Sequence, residues 1–355
     1  MKLHWRPSAA AQRLVESIAP ILQIVLGATG AYAFAHFVLG HEVPLLAVTV
    51  TITSLGFTRD ARPRRVAETA FGMIVGIALS EVLLVAFGQG LWQMTVVLLI
   101  SLAAARLISG SASFALTVGI QAMLVHLLAA PAGGVFIRSI DGLIGGLTAL
   151  LVTALIPRDP RGMANKDASR LFDVFLGAVV DVRQALLNKD FKVADAALVR
   201  VRRSQPLIDN WRLSLDSAIS ISRISPFLRK YRDELQGQVR LMRGMDLATR
   251  NLRVVVRRID FLLRDGVARP YLADLLEQLE GAVRTLQGGL EDPSELSAAQ
   301  EQLLEIIHQL DPKKFGIADQ LREASVLLLL RPLLVDLLCA AGMNEDDARD
   351  ELPVV

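Results

Sequence analysis

Apolar residues in the first half of the chain fall into six long runs that short polar connectors separate. A helix of about 20 apolar residues crosses the hydrocarbon core of a bilayer, and the runs reach or approach that length. The second run is the shortest, and it begins at Pro44, which the first turn of a helix tolerates. The pattern predicts six transmembrane helices, at about 18–39, 43–58, 67–87, 91–108, 112–130 and 138–156.

Apolar positions in the second half recur with the period of a helix, and no segment there alternates with the period of a strand. The segment 318–341 includes the apolar stretch SVLLLLRPLLVDLLCAAG. Arg331 and Asp336 near its middle make membrane insertion costly, so we assign this segment to the core of a bundle. Helices are predicted at 168–189, 193–223, 226–265, 268–289, 294–311 and 318–341.

Four arginines in the segment 226–265 recur every seven residues, beside a seam of apolar residues spaced by three and four. Such a row could bind anionic lipid headgroups or an acidic partner helix. A solvated face with salt bridges is the commoner explanation, and we adopt it here. The four residues are Arg243, Arg250, Arg257 and Arg264.

The composition divides the chain into two domains. Of the 355 residues, 52% are hydrophobic and 21% are charged, and the mean hydropathy is +0.43. One soluble domain rarely combines these values, so the charges must be segregated. The predicted fold class is all-α, with a membrane domain at 1–157, a cytosolic helical domain at 158–345 and an acidic tail at 346–355.

Several classes of function lack a sequence signature. The formal net charge of +2 is too small to indicate nucleic-acid binding, and Cys339 is the only cysteine, which makes a cysteine-rich metal site unlikely to form. No phosphate-binding loop, H-E-x-x-H or G-x-S-x-G motif is present. We therefore predict that the chain is not an enzyme and uses no cofactor, metal or nucleic acid.

Lysine and arginine positions predict the orientation of the spans, because positive loops stay in the cytoplasm. The N-terminal segment and the connector TRDARPRR at 58–65 are basic, whereas the connectors at 40–43 and 88–90 hold no lysine or arginine. Both termini are thus predicted to be cytoplasmic. The first run resembles a signal peptide, but it continues to Leu39 and further spans follow, so we interpret it as an uncleaved anchor.

Three interpretations of TRDARPRR stay open: a solvated loop, a topology signal or the mouth of an anion path. Arg65 lies three residues before Glu68, on the same face of the third helix. An acid just inside a membrane helix is costly unless it is paired, neutral or hydrated. We therefore expect Arg65 to pair with Glu68.

The third and sixth runs share a pattern at an offset of 73 residues. RVAETAFGMIVG at 65–76 and RSIDGLIGGLTA at 138–149 each place an acid three residues, and a glycine seven residues, after an arginine. Because each half contributes three helices, the halves would be inverted, as in many secondary transporters. Chance similarity among glycine-rich helices is the alternative. Close helix packing is the predicted role of Gly72, Gly76, Gly142 and Gly146.

The layout of the chain resembles that of a known family. The shared features are six apolar runs, Pro44 at the head of the second run, the basic connector, a Gly-x-x-x-Gly in the third run and a helical tail. The chain resembles the fusaric acid resistance and aromatic acid exporter family, and more distantly the plant aluminium-activated malate transporters. The similarity covers residues 18–157 and is clearest from Pro44 to Leu79. It implies an inner-membrane protein that moves organic anions. Many bacterial members carry two six-span units, so this single unit implies a homodimer or higher homo-oligomer.

The resemblance also implies roles for charged residues. Arginines at the cytoplasmic mouth would attract carboxylates and hold them bidentately. Buried carboxyl groups would be candidates for proton coupling. For each residue the alternative is a salt bridge that fastens helix ends. The substrate-binding candidates are Arg59, Arg62, Arg64, Arg65 and Arg138, and the proton-coupling candidates are Glu68, Glu81 and Asp141.

Three hypotheses follow. The first is a homo-oligomeric inner-membrane transporter that exports aromatic or other organic acids, with the bilayer and a small organic acid as its partners. The second is an organic-anion channel, which would not accumulate its substrate against a gradient. The third is a membrane-anchored scaffold that conducts nothing.

Overall fold

A computed structural model describes residues 7–57, 62–128, 134, 136–156 and 160–354. Within these ranges the regular structure is helical throughout, without a strand, as the sequence predicted. The chain divides into two compact units. The first comprises Met1–Arg158 with Ser220–Lys230, and the second comprises Asp159–Ile219 with Tyr231–Val355.

Each of the six apolar runs forms a helix in the first unit. The helix α1 ends in a wider π turn at Phe34–Val38, and α3 begins with Pro63, whose fixed φ suits the first helical turn. The helices are α1 Pro7–Ala33, α2 Leu45–Leu55, α3 Pro63–Phe87, α4 Leu91–Ile108, α5 Ala112–Leu127 and α6 Ile137–Leu155.

Among the residues that the structure describes, four segments are long and apolar enough to cross a membrane: Ser17–Val38, Pro63–Phe87, Leu91–Ile108 and Ile137–Leu155. The helices α2 and α5 have 11 and 16 residues. At about 1.5 Å per residue they span roughly 16 and 24 Å, less than the roughly 30 Å core of a bilayer. Four of the six predicted spans are thus confirmed by length and composition, and those at α2 and α5 stay predictions.

The helices α3 and α6 run antiparallel along most of their length. Near the start of α3, Val66 shares an apolar cluster with Ala149 of α6. A Cβ atom on Gly146 would lie 3.0 Å from the Cβ atom of Ala70. At the end of α3, Glu81 accepts a hydrogen bond from the first turn of α6. The N-terminus of one helix therefore lies beside the C-terminus of the other.

Packing within the first unit is nearly unchanged when α1, α2 and α3 are exchanged for α4, α5 and α6. The helix α1 packs on α2 as α4 packs on α5, and α2 packs on α6 as α5 packs on α3. Likewise α3 packs on α4 as α6 packs on α1. The contact of α3 with α6 is its own counterpart, because the exchange replaces each of these two helices by the other. A contact of α2 with α3 lacks a counterpart of similar extent among the described residues.

Glycines allow the closest of these contacts. A Cβ atom on Gly72 would collide with the ring of Phe114 in α5, and one on Gly145 would collide with the backbone oxygen of Ala47 in α2. Gly72 and Gly145 are separated by the repeat offset. Cβ atoms on Gly76 and Gly142 would lie 2.7 Å from Val118 and 2.9 Å from Ile77. Each of the four glycines assigned to packing thus faces a neighbouring helix.

The second unit is a helical bundle around one continuous apolar core. Its longest helix, α10, packs on α13, α8 and α7, while α11 packs on α7 and α12. Gly244 brings α10 against the backbone of Ala340 in α13. The helices are α7 Pro160–Asn188, α8 Phe191–Arg202, α9 Gln205–Ser222, α10 Arg232–Leu263, α11 Pro270–Gly288, α12 Glu295–Ile307, α13 Leu321–Ala340 and α14 Glu345–Asp350.

Two sequence expectations in this unit have clear outcomes. The apolar segment at 318–341 becomes α13, most of whose leucines lie in the bundle core, as predicted. The solvated acidic tail expected at 346–355 is corrected in one respect: its charged side chains are exposed, but the segment begins in the short helix α14, which packs on α13. There, Asn344 caps α14, Ala348 is fully buried, and Arg331 donates a 2.7 Å hydrogen bond to the backbone oxygen of Pro353.

Candidate functional site

A cavity of about 1200 Å³ opens where α2 ends, α3 begins and the connector joins α4 to α5. Its wall combines three kinds of side chain: guanidinium groups, hydroxyls and aromatic rings. The segment Ser220–Lys230, which also belongs to the first unit, completes the wall with Ser220, Arg223 and Ile224. The lining residues at issue are Arg62, Arg64, Arg65, Glu68, Phe71, Ser109, Ser111, Ser113, Phe114 and Thr117.

Three of the predicted substrate-binding arginines, Arg62, Arg64 and Arg65, lie together on this wall. Arg59, predicted with them, lies outside the described residues. The expected pairing of Arg65 with Glu68 is corrected, because Nε of Arg64 lies 2.8 Å from Oε1 of Glu68. A spacing of four residues brings the two side chains over each other on the helix surface. Both are largely exposed, so this ion pair adds little stability.

The sequence analysis did not single out the hydroxyl groups of the cavity. Three of them come from SGSAS at 109–113, a run of small residues that joins α4 to the first turn of α5. Ser111 caps α5, since its Oγ accepts a hydrogen bond from the backbone N–H of Phe114. Arg106 donates a 2.6 Å hydrogen bond to the backbone oxygen of Gly110 and so holds the connector. The clue was available, because three serines within five residues are unusual between two apolar helices.

Arg138 lies at the other end of the α3 and α6 pair, away from the cavity. Its side chain is buried, and Nη1 and Nη2 donate 2.8 Å hydrogen bonds to the backbone oxygens of Val125 and Leu128. These carbonyls end α5 and have no partner within their own helix. Arg138 therefore caps the C-terminus of α5, and it does not share a site with Arg65.

Glu81 is buried beside Arg138 and caps α6 from outside that helix. Its carboxylate accepts hydrogen bonds from the backbone N–H groups of Arg138, at 3.3 Å, and Ser139, at 3.2 Å. The hydroxyl of Ser139 donates a third, at 2.5 Å. The first N–H groups of a helix lack partners and carry partial positive charge, so a carboxylate stabilises them. Both of its oxygens are thus engaged by donors from α6.

Asp141 is buried one turn further along α6 and contacts a histidine that the sequence analysis did not select. Its Oδ1 lies 2.6 Å from Nδ1 of His41, in the connector between α1 and α2. The backbone oxygen of His41 also lies 2.8 Å from Nδ1 of His36. His41 lies in GHEV, where it resembles an ordinary loop residue, and only folding brings it 100 positions onward to Asp141.

Polar contacts also lie between the two ends. Thr49 in α2 donates a 3.3 Å hydrogen bond to Oε1 of Gln121 in α5, and Nε2 of Gln121 lies 3.6 Å from the sulfur of Met73. Thr51 donates a 3.1 Å hydrogen bond to the backbone oxygen of Gly145. These groups sit among apolar clusters, where an unpaired polar group would be costly. They lie near the middle of α2, between the end of that helix that lines the cavity and the end that follows His41.

The arrangement favours binding of an organic anion at the cavity. Guanidinium groups hold carboxylates, hydroxyls donate further hydrogen bonds, and the rings of Phe71 and Phe114 offer apolar contact. No cluster of histidine, cysteine and acidic side chains suited to a metal ion occurs among the residues described by the structure.

Comparisons with known proteins agree with the sequence resemblance. Residues 30–152 match the family model described as fusaric acid resistance protein-like. A protein of Corynebacterium glutamicum without an assigned function is 28% identical over 336 residues, which cover 92% of this chain and 86% of that protein. Proposed arylamide transporters of Mycobacterium tuberculosis and Mycobacterium bovis are 31% identical over 186 residues, 51% of this chain and 51% of each relative.

The matched segment runs from the end of α1 through most of α6. It contains the cavity residues from Thr53 to Thr117, both helix-end contacts and the polar contacts of α2. The family match and the four apolar segments together identify the chain as a multi-pass membrane protein. The recognition drawn from the sequence is confirmed: over residues 30–152 this chain matches the fusaric acid resistance protein-like family.

Proposed function

We propose that the chain is a membrane transporter that exports aromatic or other organic acid anions through the cavity beside α3. The observation that carries the proposal is the composition of the cavity wall, where Arg62, Arg64 and Arg65 lie with Phe71 and Phe114. A positive field concentrates carboxylates before entry, and aromatic rings select substrates with a ring. The name of the mycobacterial relatives, arylamide transporters, supports an aromatic substrate.

The proposed topology has six spans in a bacterial inner membrane, with both termini and residues 158–345 in the cytoplasm. The alternating directions of the packed helices support it, as does the distribution of basic residues. Arg62, Arg64, Arg65 and Arg106 lie at the cavity end, whereas the connectors at 40–43 and 88–90 lie at the other end. The cavity is therefore the proposed cytoplasmic entrance.

The proposed architecture is an inverted repeat of α1–α3 and α4–α6. Support comes from the packing pairs that survive the exchange of halves and from the matched close contacts at Gly72 and Gly145. In such transporters the path lies near the axis that relates the halves. The Thr49–Gln121 contact joins α2 to its counterpart α5, and we propose that the path passes near it.

Roles for the charged residues follow from their surroundings. Arg62, Arg64 and Arg65, with Arg59 from the same connector, would receive the anion. Glu81 and Arg138 would hold helix ends, because backbone groups already occupy their polar atoms. The proposed proton-coupling group is Asp141, which is buried and lies 2.6 Å from Nδ1 of His41. Glu68, exposed at the cavity, would tune the charge of the entrance.

A homo-oligomer remains part of the proposal, and the exposed face of α6 supports it. Large apolar side chains stay exposed along α6, and lipid or a second copy would cover them. They are Ile140, Leu143, Leu147, Leu151 and Leu155.

Reconstitution in liposomes tests this function. The purified chain is incorporated, vesicles are loaded with a panel of aromatic and small carboxylates, and efflux is followed with and without an imposed pH gradient. Arg65→Gln removes one cavity charge, and Arg284→Gln, on an exposed face of α11, is the matched control. The proposal predicts saturable efflux that the gradient accelerates, roughly tenfold slower in Arg65→Gln, the loss expected for one charge-assisted contact of about 1.4 kcal/mol.

The other hypotheses predict different results. Flux that only equalises the concentration of the acid on the two sides of the membrane, with or without the pH gradient, would identify an anion channel. No flux of any acid, from protein that keeps its melting transition, would contradict transport and favour the scaffold.

A further inference from the structure

One face of α10 exposes a single file of residues along most of the helix. From Arg240 to Arg264, exposed positions are separated by alternate steps of three and four, and the positions between them are buried or half-buried. This spacing is the a and d pattern of a coiled-coil seam. At about 1.5 Å per residue the file is roughly 36 Å long. The α10 file comprises Arg240, Arg243, Leu247, Arg250, Val254, Arg257, Phe261 and Arg264.

Apolar and cationic residues alternate along the α10 file. Leu247, Val254 and Phe261 occupy one heptad position and are 48%, 46% and 55% exposed. Arginines occupy every turn between them, and no acid is exposed within the file. The core of the bundle does not need these apolar side chains, because a second apolar seam of the same helix already packs inside. A regular exposed apolar row of this kind is typical of a surface that another element covers.

The charge of the α10 file is only partly balanced. Arg250 and Arg264 lie 2.9 and 3.2 Å from Asp246 and Asp260, which are nearly buried beneath the file. Within the described residues, Arg243 and Arg257 have neither a hydrogen bond nor an ion pair. The sequence-based interpretation of a solvated, salt-bridged row therefore describes two of the four arginines and leaves two available to a ligand.

The file ends in an aromatic contact. The guanidinium carbon of Arg264 lies 5.4 Å from the ring centroids of both Phe261 and Phe191, the first residue of α8. Such contacts hold a cation over aromatic rings. Both rings stay exposed, so this end offers an apolar surface to which a bulky side chain could bind.

We propose that the α10 file docks an acidic amphipathic helix of a partner protein. That helix would place carboxylates at one heptad position, against the arginines, and apolar side chains at the other, against Leu247, Val254 and Phe261. Charge complementarity favours this occupant, since the file of a second copy would oppose arginine to arginine. The single-file width also matches the seam of one helix, whereas a bilayer surface suits a broader apolar face. The proposal concerns the second unit alone and is independent of transport.

A designed peptide tests the proposal with the full chain in detergent. The peptide is a 21-residue helix, about three heptads long, with glutamate and leucine at alternate seam positions, and a second version carries glutamine in place of glutamate. Fluorescence anisotropy of the labelled peptide measures binding. The double variant Arg243→Glu with Arg257→Glu removes the unpaired cations, Val254→Ser removes an apolar contact, and Lys313→Glu is the control at an exposed site outside the file.

The expected result is salt-sensitive binding of the glutamate peptide that weakens at least roughly tenfold in the double variant and in the glutamine peptide, while Lys313→Glu binds normally. Equal binding by the wild type and the double variant, both with an intact melting transition, would overturn the proposal. A Val254→Cys variant in a Cys339→Ser background gives a second check. A disulfide between two copies would assign the file to self-association, and protection of the thiol only by anionic nanodiscs would assign it to lipid.

Discussion

Arg269 joins three segments of the second unit through a single buried side chain. It is 4% exposed, and its guanidinium lies 2.5 Å from Oδ2 of Asp265 and 2.8 Å from Oε1 of Glu323. It also donates a hydrogen bond to the backbone oxygen of Val267. The hydrogen bond from Arg269 lowers the pKa of Asp265 to about 2. A buried charge with this many partners fixes the turn between α10 and α11 against the start of α13.

The first prediction concerns Arg269→Gln. Loss of Arg269 removes charge-assisted hydrogen bonds to two carboxylates that are partly exposed and can be hydrated, which costs about 2 kcal/mol, and the melting temperature falls by roughly 4–8 °C. Because the folded pKa of Asp265 lies below its unfolded value, its stabilising effect is present above about pH 4 and lost as the pH falls towards 2. Scanning calorimetry of the detergent-solubilised chain measures both effects. Arg284→Gln, at an exposed ion pair, should change neither.

The second prediction distinguishes the roles of two buried acids, Asp141 in α6 and Glu81 in α3. Asp141→Asn removes the proposed proton-coupling group beside His41, while Glu81 of α3 and Arg138 of α6 lie nearby. Efflux in Asp141→Asn should no longer respond to an imposed pH gradient. Glu81→Gln keeps an acceptor for the N-terminus of α6, so its efflux should keep that response. The gradient dependence of initial rates decides, and a normal response in Asp141→Asn would refute the assignment.

At the scale of the helices, backbone contact sets how closely α2 and α6 pack. Gly145 faces the backbone oxygen of Ala47, and Thr51 donates a hydrogen bond to the oxygen of Gly145. Small residues permit such approach in a membrane, where lipid offers no hydrophobic drive for association. A backbone oxygen cannot move aside as a side chain can, so this contact tolerates no added atom.

The third prediction compares two glycine-to-alanine changes. Gly145→Ala forces α2 away from α6 and should cost about 1–3 kcal/mol, the usual penalty of overpacking. Gly30→Ala, in α1, meets no atom within 4 Å and should keep or raise stability, since alanine favours a helix. Thermal unfolding in detergent measures both. Equal melting temperatures would mean that the α2 and α6 contact is looser than described.

Sequence patterns predicted the helices well because hydrophobic period and run length are local properties. Each apolar run became a helix, and α13 was placed in a core because Arg331 and Asp336 oppose insertion. Contacts between distant segments were not predictable. His41 meets Asp141 across 100 positions, and Glu81 reaches the N-terminus of α6 only after folding. The pairing of Glu68 was missed by one residue, since positions three and four apart share a helix face.

At the scale of the molecule, the first unit has different ends. One end holds the arginine-lined cavity, and the other holds the His41–Asp141 contact and the helix termini that Glu81 and Arg138 cap. The proposed inverted repeat relates these ends, because Glu68 at the cavity is the counterpart of Asp141 at the other end. The proposed transporter therefore has its anion site at one end and its proposed proton-coupling group at the other.

The central claim is that the cavity receives the transported acid, and thiol protection at its wall tests this most directly. Ser113 lines the cavity, so Ser113→Cys in a Cys339→Ser background reacts with a membrane-impermeant maleimide. Ser297→Cys, at an exposed position of α12, is the control in the same background. The account predicts that a transported aromatic carboxylate slows labelling of Ser113→Cys in a saturable manner and leaves Ser297→Cys unchanged. Labelling of both at equal rates with and without saturating substrate would contradict the account.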